Sequence, residues 1–216
     1  MDRETCWQII ELQRRAIADL LADLSDDEWE TPSLCTGWRV REVAAHIALT
    51  PQPPPIGVML ATGIRARGNY NRFIDDLTRR YAKHPAAELV SVIRENADSR
   101  TLPKLTNYRN ILFDIMVHGQ DIAIPLARTI DIEPAAAAAA AAHAVTIGWP
   151  VWDKHRLDGI RLVASDVDWT HGSGPEILGP ITALLLLVTG RTAAMDLLSG
   201  DGVAPMTARL RYPPRH

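Results

Sequence analysis

Two cysteines in 216 residues, Cys6 and Cys35, are too few for a disulfide framework, and no Cys-x-x-Cys pair occurs. Reduced thiols fit a cytoplasmic compartment, and Cys35, in a loop, is read as a small structural residue rather than a reactive thiol. Long apolar runs are missing as well: Ile181 to Val188 is apolar but falls short of the roughly 20 residues that cross a bilayer. The start, Met1-Asp2-Arg3-Glu4, is charged and runs straight into an amphipathic pattern, without the basic, apolar and small-residue regions of a signal peptide. The expectation is a cytoplasmic protein with no membrane partner. Basic charge is not in excess either. With 23 Lys and Arg against 26 Asp and Glu the net charge is −3, and the pI near 6.2 offers no basic surface to nucleic acid. There is no Gly-x-Ser-x-Gly elbow and no internal repeat, and Gly172-x-Gly174 lacks the Lys-Ser/Thr and the strand-loop-helix setting of a phosphate loop, so it reads as a turn.

What is present is a globular balance, 47% hydrophobic and 23% charged, with helical periodicity over most of the chain. Residues 3–24 place Cys6, Ile9, Ile10, Ile17, Leu20, Leu21 and Leu24 at spacings of three and four, with Arg14, Arg15 and Asp19 off that stripe. Ser25 with Asp26, Asp27 and Glu28 caps a short turn, residues 31–38 form a loop, and a helix starts near Val40. Pro51, Pro53, Pro54 and Pro55 end it and make a stiff linker. Helices follow over about 56–67, 70–82, 85–97 and 108–124, and Glu133-Pro134 opens another through eight alanines to Ile147. Arg65, Arg67, Arg72, Arg79 and Arg80 read as a solvated face from which one or two can meet an anionic substrate. The pattern changes past Trp149-Pro150. A strand over 160–164, extended by 167–169, a turn at 171–175 and a hairpin strand at 176–178 precede an apolar helix from Pro180 to Gly190 and a shorter one over 192–198. The chain is therefore expected to be mainly α, with a helical domain over 1–150 and a small α+β domain over 151–216.

The stretch Asp114-Ile115-Met116-Val117-His118-Gly119-Gln120-Asp121 plants acids and a histidine inside an apolar helix. At about 100° per residue, positions 114, 118 and 121 share one stripe flanked by Ile111, Ile115 and Ile122, where unpaired charge is costly. A divalent metal satisfies such groups: Asp114 and His118, four apart, offer an oxygen and an imidazole nitrogen to one ion, and His46 in Val43-Ala44-Ala45-His46-Ile47 is the third candidate. Two histidines and a carboxylate with open positions is the pattern of a catalytic site. A hydrogen-bonded packing network is the competing reading. Asp166, Asp168 and His171 could form a second site by position alone, with no motif behind it.

Taken together, Leu34-Cys35-Thr36-Gly37-Trp38-x-Val40-Arg41-Glu42-Val43-Ala44-Ala45-His46 and Asp114-x-x-Val117-His118-Gly119-Gln120-Asp121 resemble the mycothiol-dependent maleylpyruvate isomerase family of the DinB/YfiT-like metalloprotein superfamily. Trp169 with its glycine turn and Leu187-Val188-Thr189-Gly190-Arg191 continue the resemblance over nearly the whole chain. It implies a DinB-like four-helix bundle with a small C-terminal α+β domain, and a metal held by a histidine of the second bundle helix and an acid-x-x-x-His pair of the third. His46 and His118 match those ligands, and Asp114 stands where the characterised isomerases have glutamate, one methylene shorter. Asp121 matches an acidic position suited to orienting an imidazole. Arg191 matches an arginine linked to substrate carboxylate binding or catalysis, while its place after Gly190 equally suits capping a helix C-terminus. The resemblance further implies an actinobacterial source, zinc and mycothiol as cofactors, and a monomer or homodimer acting on a small electrophilic, anionic substrate. Isomerisation and thiol transfer both fit, a metal-dependent hydrolase would work without thiol, and a metal- or ligand-binding protein would retain metal without turnover.

Overall fold

The computed structural model describes residues 1–52, 56–103, 106–147 and 154–211, so the expected linker at Pro53, Pro54 and Pro55 and the change of pattern at Trp149-Pro150 lie outside the described residues. The chain is mainly α: ten α-helices and one three-stranded sheet are found among the described residues. Contacts divide it into two compact units, Met1–Asp131 and Ile132–His216.

The first unit opens with α1 (Arg3–Ala22), whose first turn is held by the Asp2 carboxylate accepting from the Thr5 backbone N–H. Ser25 and Glu28 form a reciprocal capping box on α2 (Asp26–Trp29). Then come α3 (Val40–Leu49), α4 (Ile56–Ala66), α5 (Tyr70–Tyr81), α6 (Ala86–Glu95) and α7 (Tyr108–Ala123). Both α1 and α3 pack against α6 and α7, which closes a four-helix bundle of α1, α3, α6 and α7. Its core holds Ile10, Ile17, Val43, Leu89, Ile93, Leu112 and Met116, all buried. α5 lies on α3, with α4 beside α5.

Two readings of the sequence are corrected here. Arg14, expected off the apolar stripe, is buried, because its Nη1 donates to the carbonyls of Asn96, Ala97 and Ser99 at 3.2, 3.2 and 2.8 Å and so closes the exit of α6. The alanine-rich helix α8 (Pro134–Ile147), expected within a domain reaching residue 150, groups instead with the second unit, where it packs on α9 (Ile181–Val188). The reason is mutual: α9 is buried around almost its whole circumference and needs a close neighbour, and the small side chains of Ala136, Ala137, Ala140, Ala141 and Ala144 allow that approach. The helix with the acid-x-x-x-His pair is consequently the fourth of the bundle in chain order, since α6 occupies a bundle position.

The second unit also contains the sheet β1 (Arg161–Ala164), β2 (Thr170–Gly172) and β3 (Glu176–Gly179), in the order β2-β1-β3. A hairpin return by residues 176–178 is not what forms. β2, which joins Thr170 to two residues read as turn, pairs antiparallel with β1, and β3 lies parallel on the other edge. The crossing is tight, because a Cβ on Gly172 (φ +79°) or Gly174 (φ +120°) would stand 2.2 Å from the carbonyl oxygen of Ile160 or Gly159. The expected helix over 192–198 is only a 3-10 turn, Met195–Leu197, and α10 (Val203–Arg211) follows where the sequence reading had no element. No helix among the described residues is long and apolar enough to cross a membrane.

Ile10 is fully buried between bundle helices, whereas Leu12, two residues on, is 64% exposed. Denaturant titration of Ile10→Ala is expected to show a loss of about 2–5 kcal/mol, and Leu12→Ala a change within about 0.5 kcal/mol.

Candidate metal centre

Three parts of the first unit converge on one point. α7 starts at Asn107, whose side chain accepts from the backbone N–H groups of Arg109 and Asn110, and two turns later presents Asp114, His118 and Asp121 on one stripe. α3 presents His46 toward the same stripe. The loop before α3 is pinned by hydrogen bonds from Ser33 N to Trp38 O at 3.0 Å and from Leu34 N to Asp121 O at 3.2 Å, and lays the Trp38 ring against both imidazoles. The ring centroids stand 5.5 Å from His46 and 6.3 Å from His118.

Asp114 lies between the histidines. Its Oδ2 is 3.5 Å from His46 Nε2 and its Oδ1 is 3.4 Å from His118 Nε2. Those separations, each to a different oxygen of Asp114, exceed the roughly 2.8 Å of a charge-assisted hydrogen bond, and each is close to the edge of about 3.4 Å that bonds of about 2.1 Å subtend at a tetrahedral ion. The three donor atoms all lie within 4.8 Å of one another. His118 Nδ1 faces the other way and hydrogen-bonds Asp121 Oδ2 at 2.8 Å, with Asp121 fully buried. A carboxylate that takes the Nδ1 proton leaves the Nε2 lone pair directed at Asp114 and His46. The donor set therefore fits a divalent cation, and the aspartate, one methylene shorter than glutamate, reaches both imidazoles.

Electrostatics bind the cluster together in the metal-free protein. Burial works against charge on His118, but the Asp114 charge and the contacts with Asp114 and Asp121 outweigh it and raise its pKa from 6.5 to about 9. Burial likewise opposes ionisation of Asp114, and the neighbouring His118 and His46 hold it well below the usual carboxylate range. Arg14 is pushed down to about 10 by burial, against the pull of Asp114 and Asp98. The Tyr70 phenol is pushed up by burial and by Asp114.

His46, Asp114, His118 and Asp121 are thus brought together. Arg191 belongs to the second unit, where its Nη1 donates to the Thr189 carbonyl at 2.7 Å at the end of α9, which is the capping arrangement. Asp166 accepts from Ile181 N at 2.8 Å and caps the start of α9, so among the described residues it joins no metal-capable group with Asp168 and His171. Cys35, in the loop near the candidate site, has its sulfur within 4.8 Å of the ligand atoms of His118 and Asp121, although those two are already joined to each other. Trp38, Asp75 and Arg14 carried no role in the sequence reading. Only the tryptophan gave a signal, through its place in the loop-to-helix block containing His46.

Because His118 is charged more readily in the folded than in the unfolded chain, its contribution to stability is full below about pH 6.5 and lost as pH rises through about 9. Thermal melts of chelator-treated protein are expected to show Tm falling across that window, and Asp114→Asn should flatten the fall; equal slopes in both would contradict the pairing.

Residues 10–103 match the sequence model of a family described as the mycothiol maleylpyruvate isomerase N-terminal domain, a span that includes Trp38 and His46 and ends before Asp114. No curated protein matches the chain. Among solved structures it is similar to the mycothiol-dependent maleylpyruvate isomerase, at 12% identity with a TM-score of 0.62 over 94% of each chain. A histidine-to-alanine mutant of that enzyme gives a TM-score of 0.63 at the same identity and coverage. The resemblance read from the sequence is borne out: residues 10–103 match the model of the mycothiol maleylpyruvate isomerase N-terminal domain, in a chain with the fold of that isomerase.

Proposed function

We propose that His46, Asp114 and His118 hold a divalent cation, zinc in first place, and that the protein is a metal-dependent enzyme using a low-molecular-weight thiol on a small electrophilic substrate. Mycothiol is the thiol named for both the matching family and the similar structure, and it is the one assigned here. The observation that carries the reading is the donor spacing around Asp114, together with the buried Asp121 that fixes His118. A cation in such a site supplies Lewis acidity, which lowers the pKa of a thiol or water that meets it.

The chain's own residues divide the remaining work. Asp121 keeps the proton on His118 Nδ1 and stops the ring from turning. Trp38 forms an apolar wall against both imidazoles, and is itself held by its indole N–H donating to Asp75 Oδ1 at 2.7 Å. A wall of that kind excludes water from one side of the site and strengthens the charge interactions within it. An anionic substrate, and a choice between isomerisation and thiol transfer, extend the same reading.

Turnover of maleylpyruvate and a panel of related electrophiles, with and without mycothiol, tests it. Thiol-dependent, chelator-sensitive turnover is expected, and Asp121→Asn should reduce metal affinity or activity by about 10–100-fold. Thiol-independent turnover of esters or amides would replace the reading by a hydrolase, and metal retention without turnover across the panel would replace it by a binding protein.

A further inference from the structure

A second concave feature lies between α4 and α5, a cleft of about 970 Å³ that falls within the size range of small-molecule sites. Arg65 and Arg67 line it from the end of α4, and Arg72, Arg79, Arg80 and Lys83 from α5 and its exit. Among the described residues the sole acid lining it is Asp76. The concentration is local: residues 65–83 hold six basic and two acidic residues, a balance of +4, in a chain whose net charge is −3. Cations crowded on both walls of a concavity reinforce one another's field and raise the local concentration of anions.

The cations of this cleft are exposed, and two details bear on their availability to an anion. Among the described residues, Arg65, Arg67, Arg72, Arg80 and Lys83 form no ion pair, although the same helix pairs Arg79 with Asp75. The backbone at Arg67 takes φ +50°, a left-handed conformation that an arginine adopts at a cost, and in doing so returns the chain toward α5. Guanidinium groups present planar forks that match phosphate or carboxylate oxygens two at a time.

We propose that this cleft binds a small polyanion carrying at least two closely spaced phosphate or carboxylate groups. Its wall is joined to the metal centre: Arg79 donates to both oxygens of Asp75 at 2.9 and 3.0 Å and to the Gly37 carbonyl at 2.7 Å, and Asp75 accepts from Trp38 beside His46 and His118. An anion drawing on Arg79 loosens its hold on Asp75 and on the loop carrying Trp38. The cleft is therefore placed to report its occupancy to the site. The anion-binding claim itself stands whether or not the site holds metal.

Isothermal titration with pyrophosphate and, separately, citrate, each against sodium chloride of matched ionic strength, tests this on the whole protein. Saturable binding of at least one probe is expected, weakened at least about 10-fold in an Arg72→Ala/Arg80→Ala double variant, with the tighter probe naming phosphate or carboxylate as the recognised chemistry. Wild-type protein should also change its tryptophan fluorescence on saturation, and a Trp38→Phe variant should bind without that change. No saturable heat with either probe in the wild-type protein, or equal affinity in the double variant, overturns the proposal. The first of these needs no variant to fold.

Discussion

The Asp114 carboxylate, lodged between two imidazoles, is the interaction on which the centre of the first unit depends. Ionised groups inside a helical bundle are expensive unless each finds a partner of opposite sign or a full set of hydrogen bonds. Here the partners are arranged in series. Asp114 faces His46 and His118, His118 turns its other nitrogen to Asp121, and the backbone carbonyl of Asp121 receives Leu34 N from the loop before α3. Withdrawing Asp114 leaves both imidazoles without the carboxylate between them. That coupling explains why polar side chains are tolerated on α7 beside Ile111, Ile115 and Ile122, and why three separate stretches of chain are held in register around one point.

The same arrangement ties the centre to its surroundings. Trp38 packs on the imidazoles and hands its indole proton to Asp75, which is clasped by Arg79. α5 is therefore more than a cover on α3. It fixes the wall of the site and also lines the basic cleft shared with α4. A displacement of α5 would move the indole and the cleft together, because a single carboxylate bridges them.

Much of this was legible in the residues. The i, i+4 and i+7 spacing of Asp114, His118 and Asp121 put them on one stripe whatever the partners, and the helix around His46 followed from its apolar period. The order of the motif blocks pointed to a four-helix bundle, which the fold bears out. What escaped depends on partners that a local pattern does not contain. Arg14 looks like a solvent-facing arginine until the carbonyls of Asn96, Ala97 and Ser99, more than eighty residues away, are brought to it. α8 carries helix propensity without a polar face to say which neighbour it prefers, so its grouping with α9 was hidden. β3 was misread because a parallel partner across a glycine-lined crossing has the same alternation as a hairpin return. Arg191 has two roles of equal standing in the sequence, and its bond to the Thr189 carbonyl at the end of α9 is compatible with both.

The central claim is that the cluster around Asp114 is a metal site rather than a packing network of buried polar groups. Elemental analysis tests this most directly, on the purified protein beside a His46→Ala variant, both loaded with zinc and desalted. About one equivalent of zinc retained by the first and little by the second is the predicted result, as three protein ligands suffice for a catalytic ion and two do not. Negligible metal in both, repeated with nickel, iron and manganese, would contradict it and leave the imidazoles and carboxylates as partners only of one another.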